Sequence, residues 1–194
     1  MPKNTSTPST PTQSQIFELL GRALYACNII ELKLRWMYMR SGGVWTGKTP
    51  EDLIDKLNKV AEQQQKRSKT PLGSIGQEML DAIYTPRSDN DLKEAKKEHL
   101  FAYKFDFKIE CKGRFRRART KFKKFIDSRN DLVHHFARDY NLTNEESCKK
   151  AYDDLIAKCN IIKDALIFFN EDYEMMQKTL QKFQEQLKER IISG

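Results

Sequence analysis

The chain has 194 residues, with 35 Lys or Arg against 27 Asp or Glu and a net charge of +8. That length holds one substantial hydrophobic core and is short for two ordinary domains. No run of about 18 apolar residues occurs, because Glu18, Arg22, Glu31, Lys33 and Arg35 interrupt the most apolar stretch, which excludes a membrane-spanning helix. Four cysteines, at 27, 111, 148 and 159, form neither a CxxC pair nor a metal-ligand rhythm with His, and no signal peptide precedes them. Reduced thiols in a cytoplasmic protein are expected, without a metal or cofactor.

Residues 1–13 are rich in Ser, Thr and Pro and nearly devoid of apolar side chains, the composition of a disordered tail. From Ser14, taken as an N-cap, Ile16, Leu19, Leu20, Ala23, Leu24, Cys27, Ile30, Leu34 and Met37 recur at three- and four-residue steps until Gly42-Gly43. This spacing predicts a long core helix. A second helix is predicted from Thr49-Pro50-Glu51-Asp52, with Thr as cap and Pro in the first turn. Pro71-Leu72-Gly73-Ser74 then opens a shorter helical segment over 75–84, and Asp89 or Asn90 caps another that ends near His99. Between Phe101 and Ile109 strict alternation of apolar and polar residues predicts a strand whose pairing partner is not evident. Its aromatic row reads as core, or less commonly as a base-stacking surface.

Helical spacing resumes after Gly113 through Phe115, Ala118, Phe122, Phe125, Ile126, Leu132, Val133 and Phe136. Thr143-Asn144-Glu145-Glu146 reads as a capping box. The last helix follows, with Tyr152, Leu155, Cys159, Ile162, Leu166, Phe169, Tyr173, Met176, Leu180, Phe183 and Leu187 stepping alternately by three and four. Such a pattern argues for coiled-coil packing, provided Asn170 and Asp172 do not break it. The expected fold is all-α: a helical bundle over 14–170 with a short strand or hairpin insertion, and a coiled-coil-like extension of the last helix over 171–194.

The charge is concentrated. Eleven basic residues lie between Tyr103 and Arg129 against Asp106, Glu110 and Asp127, so this stretch carries the whole excess of the chain. Arg114, Arg116, Arg117, Arg119, Lys121, Lys123 and Lys124 are the candidate contacts to a phosphate backbone, the alternative being a solvated helix face. The segment leads into Arg129-Asn130-Asp131-Leu132-Val133-His134-His135. Together Arg, Asn and His offer a fixed cation, an amide and a proton carrier active near neutral pH. A step of about 100° per residue puts Asn130 and His134 on one face of a helix, with His135 turned away. The bland alternative is an Arg paired with a neighbouring carboxylate and a half-buried, satisfied His.

Arg129-Asn130 followed by His134 near the end of a helix, in a chain otherwise almost wholly helical, resembles the Arg-x4-6-His signature of the HEPN superfamily. The specific part of the resemblance runs from about Phe101 to Ala165. It implies a small HEPN-like helical bundle that dimerises so that the motif meets its two-fold copy. It also implies a metal-independent endoribonuclease of the bacterial toxin or antiphage-defence type, held in check by an antitoxin or regulatory protein. A subgroup of the family carries Tyr two residues after the His as a nucleotidylation acceptor; here Phe136 stands there. The catalytic residues so implied are Arg129, His134 and Asn130, with His135 auxiliary, and the looser motif spacing leaves open which imidazole is active. The competing expectation is a non-catalytic helical adaptor that binds RNA or a protein partner.

Overall fold

The structure, a computed structural model, describes residues 10–47, 49, 51, 52, 55, 59, 70–84, 101–106, 109 and 113–193. It is mostly helical. Helix α1 spans Gln13–Arg40, α2 Leu72–Tyr84, α3 Arg114–Asn130, α4 Phe136–Asp139 and α5 Glu145–Ser193, with one turn of π-helix at Asp131–His135 between α3 and α4. Strands β1 (Gly42–Gly47) and β2 (Phe101–Asp106) pair antiparallel, with Gly42 opposite Asp106 and Gly47 opposite Phe101. The alternating stretch therefore finds its partner in a strand that begins at Gly42-Gly43 itself, where the sequence offers only a helix stop. Among the described residues no helix is long and apolar enough to cross a membrane.

Local side-chain chemistry sets the helix ends. Thr12 rather than Ser14 caps α1: its Oγ1 accepts from the Gln15 amide at 3.3 Å, and Gln15 Oε1 accepts from the Thr12 amide at 2.8 Å, a reciprocal box. Thr49 Oγ1 accepts from the Asp52 amide at 3.2 Å, as its cap role requires. The remainder of that predicted helix, and the segment capped by Asp89 or Asn90, lie largely or wholly outside the described residues. α2 starts at Leu72, before the predicted 75. Gly113, at φ +78°, occupies the left-handed region that favours Gly and turns the chain into α3. α5 is capped by Asn144, whose Oδ1 accepts from the amides of Glu146 and Ser147 at 2.8 and 3.2 Å. Thr143, the expected cap, is displaced because its hydroxyl already donates to Asn141 Oδ1 at 2.7 Å.

The chain forms two compact units, each assembled from separated segments. The first comprises residues 1–30 and 121–167; its core includes Ile16, Ala23, Ile30, Phe125, Leu155 and Ile162, all nearly inaccessible. Gln13 donates from Nε2 to the Leu142 carbonyl at 2.7 Å, tying the start of α1 to the loop before α5. The second comprises 31–120 and 168–194, with Leu34, Met37, Met79, Leu80, Ile83 and Phe169 at its centre. There Trp36 meets Tyr173 edge-on at 4.9 Å, and Asn170, far from breaking α5, accepts a hydrogen bond from Lys33 Nζ.

Asp172 is the other polar residue in the heptad run, and it is fully buried in the second unit. Its Oδ2 accepts from the Tyr84 hydroxyl at 2.5 Å, and its Oδ1 accepts from Arg114 Nε at 2.9 Å with Nη2 at 2.7 Å. Arg114 also lies 3.0 Å from Glu171 and stacks 4.0 Å above the Phe168 ring. Burial raises the Asp172 carboxyl above the usual range, against the hydrogen bonds from Tyr84 and Arg114 that lower it. Burial, then the Asp172 charge, drives the Tyr84 phenol far above its ordinary value. A buried carboxylate is tolerated here because each oxygen has a donor.

Candidate functional site

The motif lies in the first unit, where α3 gives way to the π-turn. Seven α-helical steps come to about 700°, so Arg129 falls within about 20° of Phe122, and Asn130 within about 20° of Lys123. Phe122 is buried and Lys123 exposed. Arg129 thus starts from the core-facing side of α3 and Asn130 from the side of Lys123, yet both are half-buried. The two meet: Arg129 Nη1 donates to Asn130 Oδ1 at 3.3 Å.

Beyond Asn130 the winding changes. The Phe136 amide donates to the Asp131 carbonyl, five residues back, and His135 relaxes to φ −116°. Leu132 and Phe136 stay buried and pin the turn at both ends, while Val133 is 48% exposed. A π-turn advances each residue by less than 100°, so the regular-helix argument that puts Asn130 and His134 on one face does not carry across it. What the turn does produce is a pair of neighbouring imidazoles, their ring centroids 6.3 Å apart and planes at 68°. His134 is exposed and His135 half-buried, with its Nδ1 enclosed and, among the described residues, without a hydrogen-bond partner. A buried ring nitrogen without a donor is best accommodated as a lone pair, which favours the proton on Nε2.

Polar residues of the first unit brace the turn, Asp154 and Lys158 from α5 and Tyr140 from the end of α4. Lys158 Nζ lies 2.5 Å from Asp154 Oδ2 and 3.8 Å from Asp131 Oδ2. The Tyr140 phenol is pushed up to about 12 by burial and then by its hydrogen bond to Asp154, and its ring packs 5.2 Å from that of Phe136. Asp139, on the exposed side of α4, has its carboxyl held below the usual range chiefly by the hydrogen bond from Arg138. None of Asp154, Lys158 and Tyr140 stood out in the sequence. Their partners come from different helices, and only the repeat of Asp and Lys at 154 and 158 hinted at a local pair.

The seven candidate RNA contacts separate into two groups. Arg114 is 15% exposed and committed to Asp172, Glu171 and Phe168, so it offers no free cation. Lys121 is ion-paired with Asp164 beside an open depression of about 320 Å³ that Lys124 also lines. Arg116, Arg117, Arg119, Lys123 and Lys124 are exposed. Arg116, Arg119 and Lys123 recur at three and four residues, one stripe of α3. The side chains of the 101–106 aromatic row lie outside the described residues. Among the described residues no group of three or more His, Cys, Asp or Glu could hold a metal. The chain matches no protein-family model, no curated protein and no solved structure.

Proposed function

We propose that this chain is a metal-independent endoribonuclease of the HEPN type, acting in a bacterial toxin or antiphage-defence setting. The observation that carries the reading is the π-turn at Asp131–His135, which presents two imidazoles immediately after the hydrogen-bonded Arg129–Asn130 pair. Departures from α-helical winding of this kind cost regular hydrogen bonding and occur frequently at functional sites.

Arg129 binds the scissile phosphate and stabilises charge on its oxygens as the ribose 2′-OH attacks phosphorus. Asn130 orients the guanidinium through the contact described above. His134, the accessible imidazole, takes the 2′-OH proton or delivers one to the departing 5′ oxygen, and His135 assists it. In a two-fold dimer the two copies divide these roles. The P–O5′ bond breaks, leaving a 2′,3′-cyclic phosphate and a 5′-hydroxyl. Arg116, Arg117, Arg119, Lys123 and Lys124 hold flanking phosphates, and Arg114 and Lys121 drop out of that set because carboxylates already occupy them.

The exposed cations favour a second reading as well, a non-catalytic adaptor that binds RNA through α3 without cutting it. Incubating end-labelled total RNA with the wild-type chain and the Arg129→Ala and His134→Ala variants in EDTA separates the two. Cyclic-phosphate products from the wild type alone, with all three proteins folded by circular dichroism, are the expected result. Intact RNA together with salt-sensitive binding would select the adaptor. Full cleavage by a folded His134→Ala and His135→Ala double variant would remove the ribonuclease mechanism.

A further inference from the structure

The last turns of α1 and the stretch of α5 over 170–181 form one corner of the second unit. Lys33, Trp36 and Arg40, all half-buried, step by three and four and so share one edge of α1. The Trp36 indole is held from two directions: the Tyr173 ring meets it edge-on at 4.9 Å, and the Arg40 guanidinium stands 4.3 Å from its centre. Tyr173 is fixed in turn, with Lys33 Nζ 4.5 Å from its ring centre and its hydroxyl accepting from Gln177 Nε2 at 2.7 Å. Lys33 also donates to Asn170 Oδ1, and Asn170 Nδ2 donates to Glu174 Oε1 at 2.7 Å.

Beside the indole lies an open hollow of about 360 Å³, lined by Trp36, Glu174, Gln177, Lys178, Leu180 and Gln181. That volume falls at the lower end of small-molecule sites. Trp36 and the half-buried Leu180 supply apolar surface, the two Gln amides supply donors and acceptors, and Lys178 supplies a cation. Among the described residues Lys33, Arg40 and Lys178 have no carboxylate partner. Arg22 and Arg35, on the same helix as the first two, are paired with Glu18 and Glu31. Of the lining residues only Glu174 is acidic, and it already accepts from Asn170. The corner therefore holds aromatic surface next to cations that no side chain neutralises.

We infer that this corner binds a nucleotide, with the base against Trp36 and the phosphate on Lys178 and Arg40. An inorganic anion would use the cations and leave the indole idle, and a neutral aromatic would do the reverse. A nucleotide uses both. Its base has a π-face for the indole and edge groups that suit the Gln amides, and its phosphate accepts charge-assisted hydrogen bonds. The rings and the Arg40 guanidinium are already in mutual contact, so little ordering is left for the ligand to impose. Because the hollow is open, a free mononucleotide is expected to bind weakly, with Kd on the order of 1 mM. The same nucleotide within an RNA strand binds more tightly through its added phosphates. Arg129 and His134 belong to the first unit, so cleavage and nucleotide binding at Trp36 can fail independently.

Trp36 is one of two tryptophans in the chain, so Trp45→Phe leaves its emission as the readout. The full chain carrying Trp45→Phe, with Arg129→Ala to keep RNA intact, is titrated in EDTA with AMP, UMP, adenosine, inorganic phosphate and a short single-stranded oligoadenylate. AMP or UMP is expected to change the emission saturably, adenosine to bind at least about threefold more weakly than AMP, and phosphate alone to leave the emission unchanged. Lys178→Glu, on the exposed side of α5, is expected to weaken AMP by about tenfold and leave adenosine unaffected. An oligonucleotide tighter than AMP identifies an RNA strand as the occupant; one no tighter identifies a free nucleotide. Trp36→Phe in the otherwise wild-type chain should abolish the response seen in the wild type, a control that does not depend on how Trp45→Phe folds. No saturable change with either mononucleotide or the oligonucleotide up to about 10 mM overturns the inference. So does a response to AMP that matches adenosine, is indifferent to Lys178→Glu, or survives Trp36→Phe.

Discussion

The phenol of Tyr140 is held to the motif by two contacts, the Phe136 ring and the Asp154 carboxylate. Replacing it by Phe keeps the first and removes the second, which should cost about 1 kcal/mol. The pH dependence has a definite sign. A phenol whose folded value is raised to about 12 contributes its full stability below its unfolded value near 10, and loses it as the pH rises toward 12. Denaturation of wild type and Tyr140→Phe at pH 8 and again near pH 11.5 should therefore show a gap that shrinks in alkali; a constant gap would contradict this. At the same scale the sequence told a great deal about candidates and little about commitments. Arg129, Asn130 and His134 are conspicuous as residue types. That Arg114 among seven similar cations is the one spent on the core depends on Asp172, 58 positions away, and nothing local distinguishes it.

At the scale of elements, the helix ends at Thr49 and Gly113 were legible because capping groups and a left-handed glycine act within a few residues. Thr143 misled for the same reason, since Asn141 competes for its hydroxyl over the same short range. The π-turn was not legible. Periodicity arguments assume uniform winding, and the signal here is a buried Leu132 and a buried Phe136 separated by four, which a regular helix also satisfies. Deleting the exposed Val133 removes the extra residue and should let α3 run into α4 as a continuous α-helix. Circular dichroism is expected to show unchanged helicity and a melting temperature at or above that of the wild type, with RNA cleavage lost as completely as in Arg129→Ala. A deletion variant that still cuts would show that the turn does not serve the chemistry.

For the whole molecule, the buried Tyr84–Asp172–Arg114 cluster and the exposed stripe of α3 make opposite forecasts for neighbouring arginines. Arg114→Ala leaves a buried carboxylate short of its cation and should destabilise the chain by about 3–5 kcal/mol, read as a lower urea midpoint. Arg116→Ala, Arg119→Ala and Lys123→Ala should leave that midpoint within about 0.5 kcal/mol. They should instead weaken RNA binding and reduce the slope of log K against log salt by about 0.7 each for a single strand. If Arg114→Ala behaves like its neighbours, the network is not holding the second unit together.

Neither compact unit is contiguous along the chain: the first joins residues 1–30 to 121–167, and the second joins 31–120 to 168–194. A ribosome delivers these partners in the wrong order for early closure. Ile16, Cys27 and Ile30 emerge long before Leu155 and Ile162, and at roughly 5–20 residues per second they wait on the order of ten seconds for the helix that will cover them. Asp172 appears later still, after both Tyr84 and Arg114. The nascent chain therefore exposes apolar helix faces throughout most of its synthesis, which makes it a natural client for chaperones that bind such faces, and makes truncated products more prone to aggregate than the finished protein.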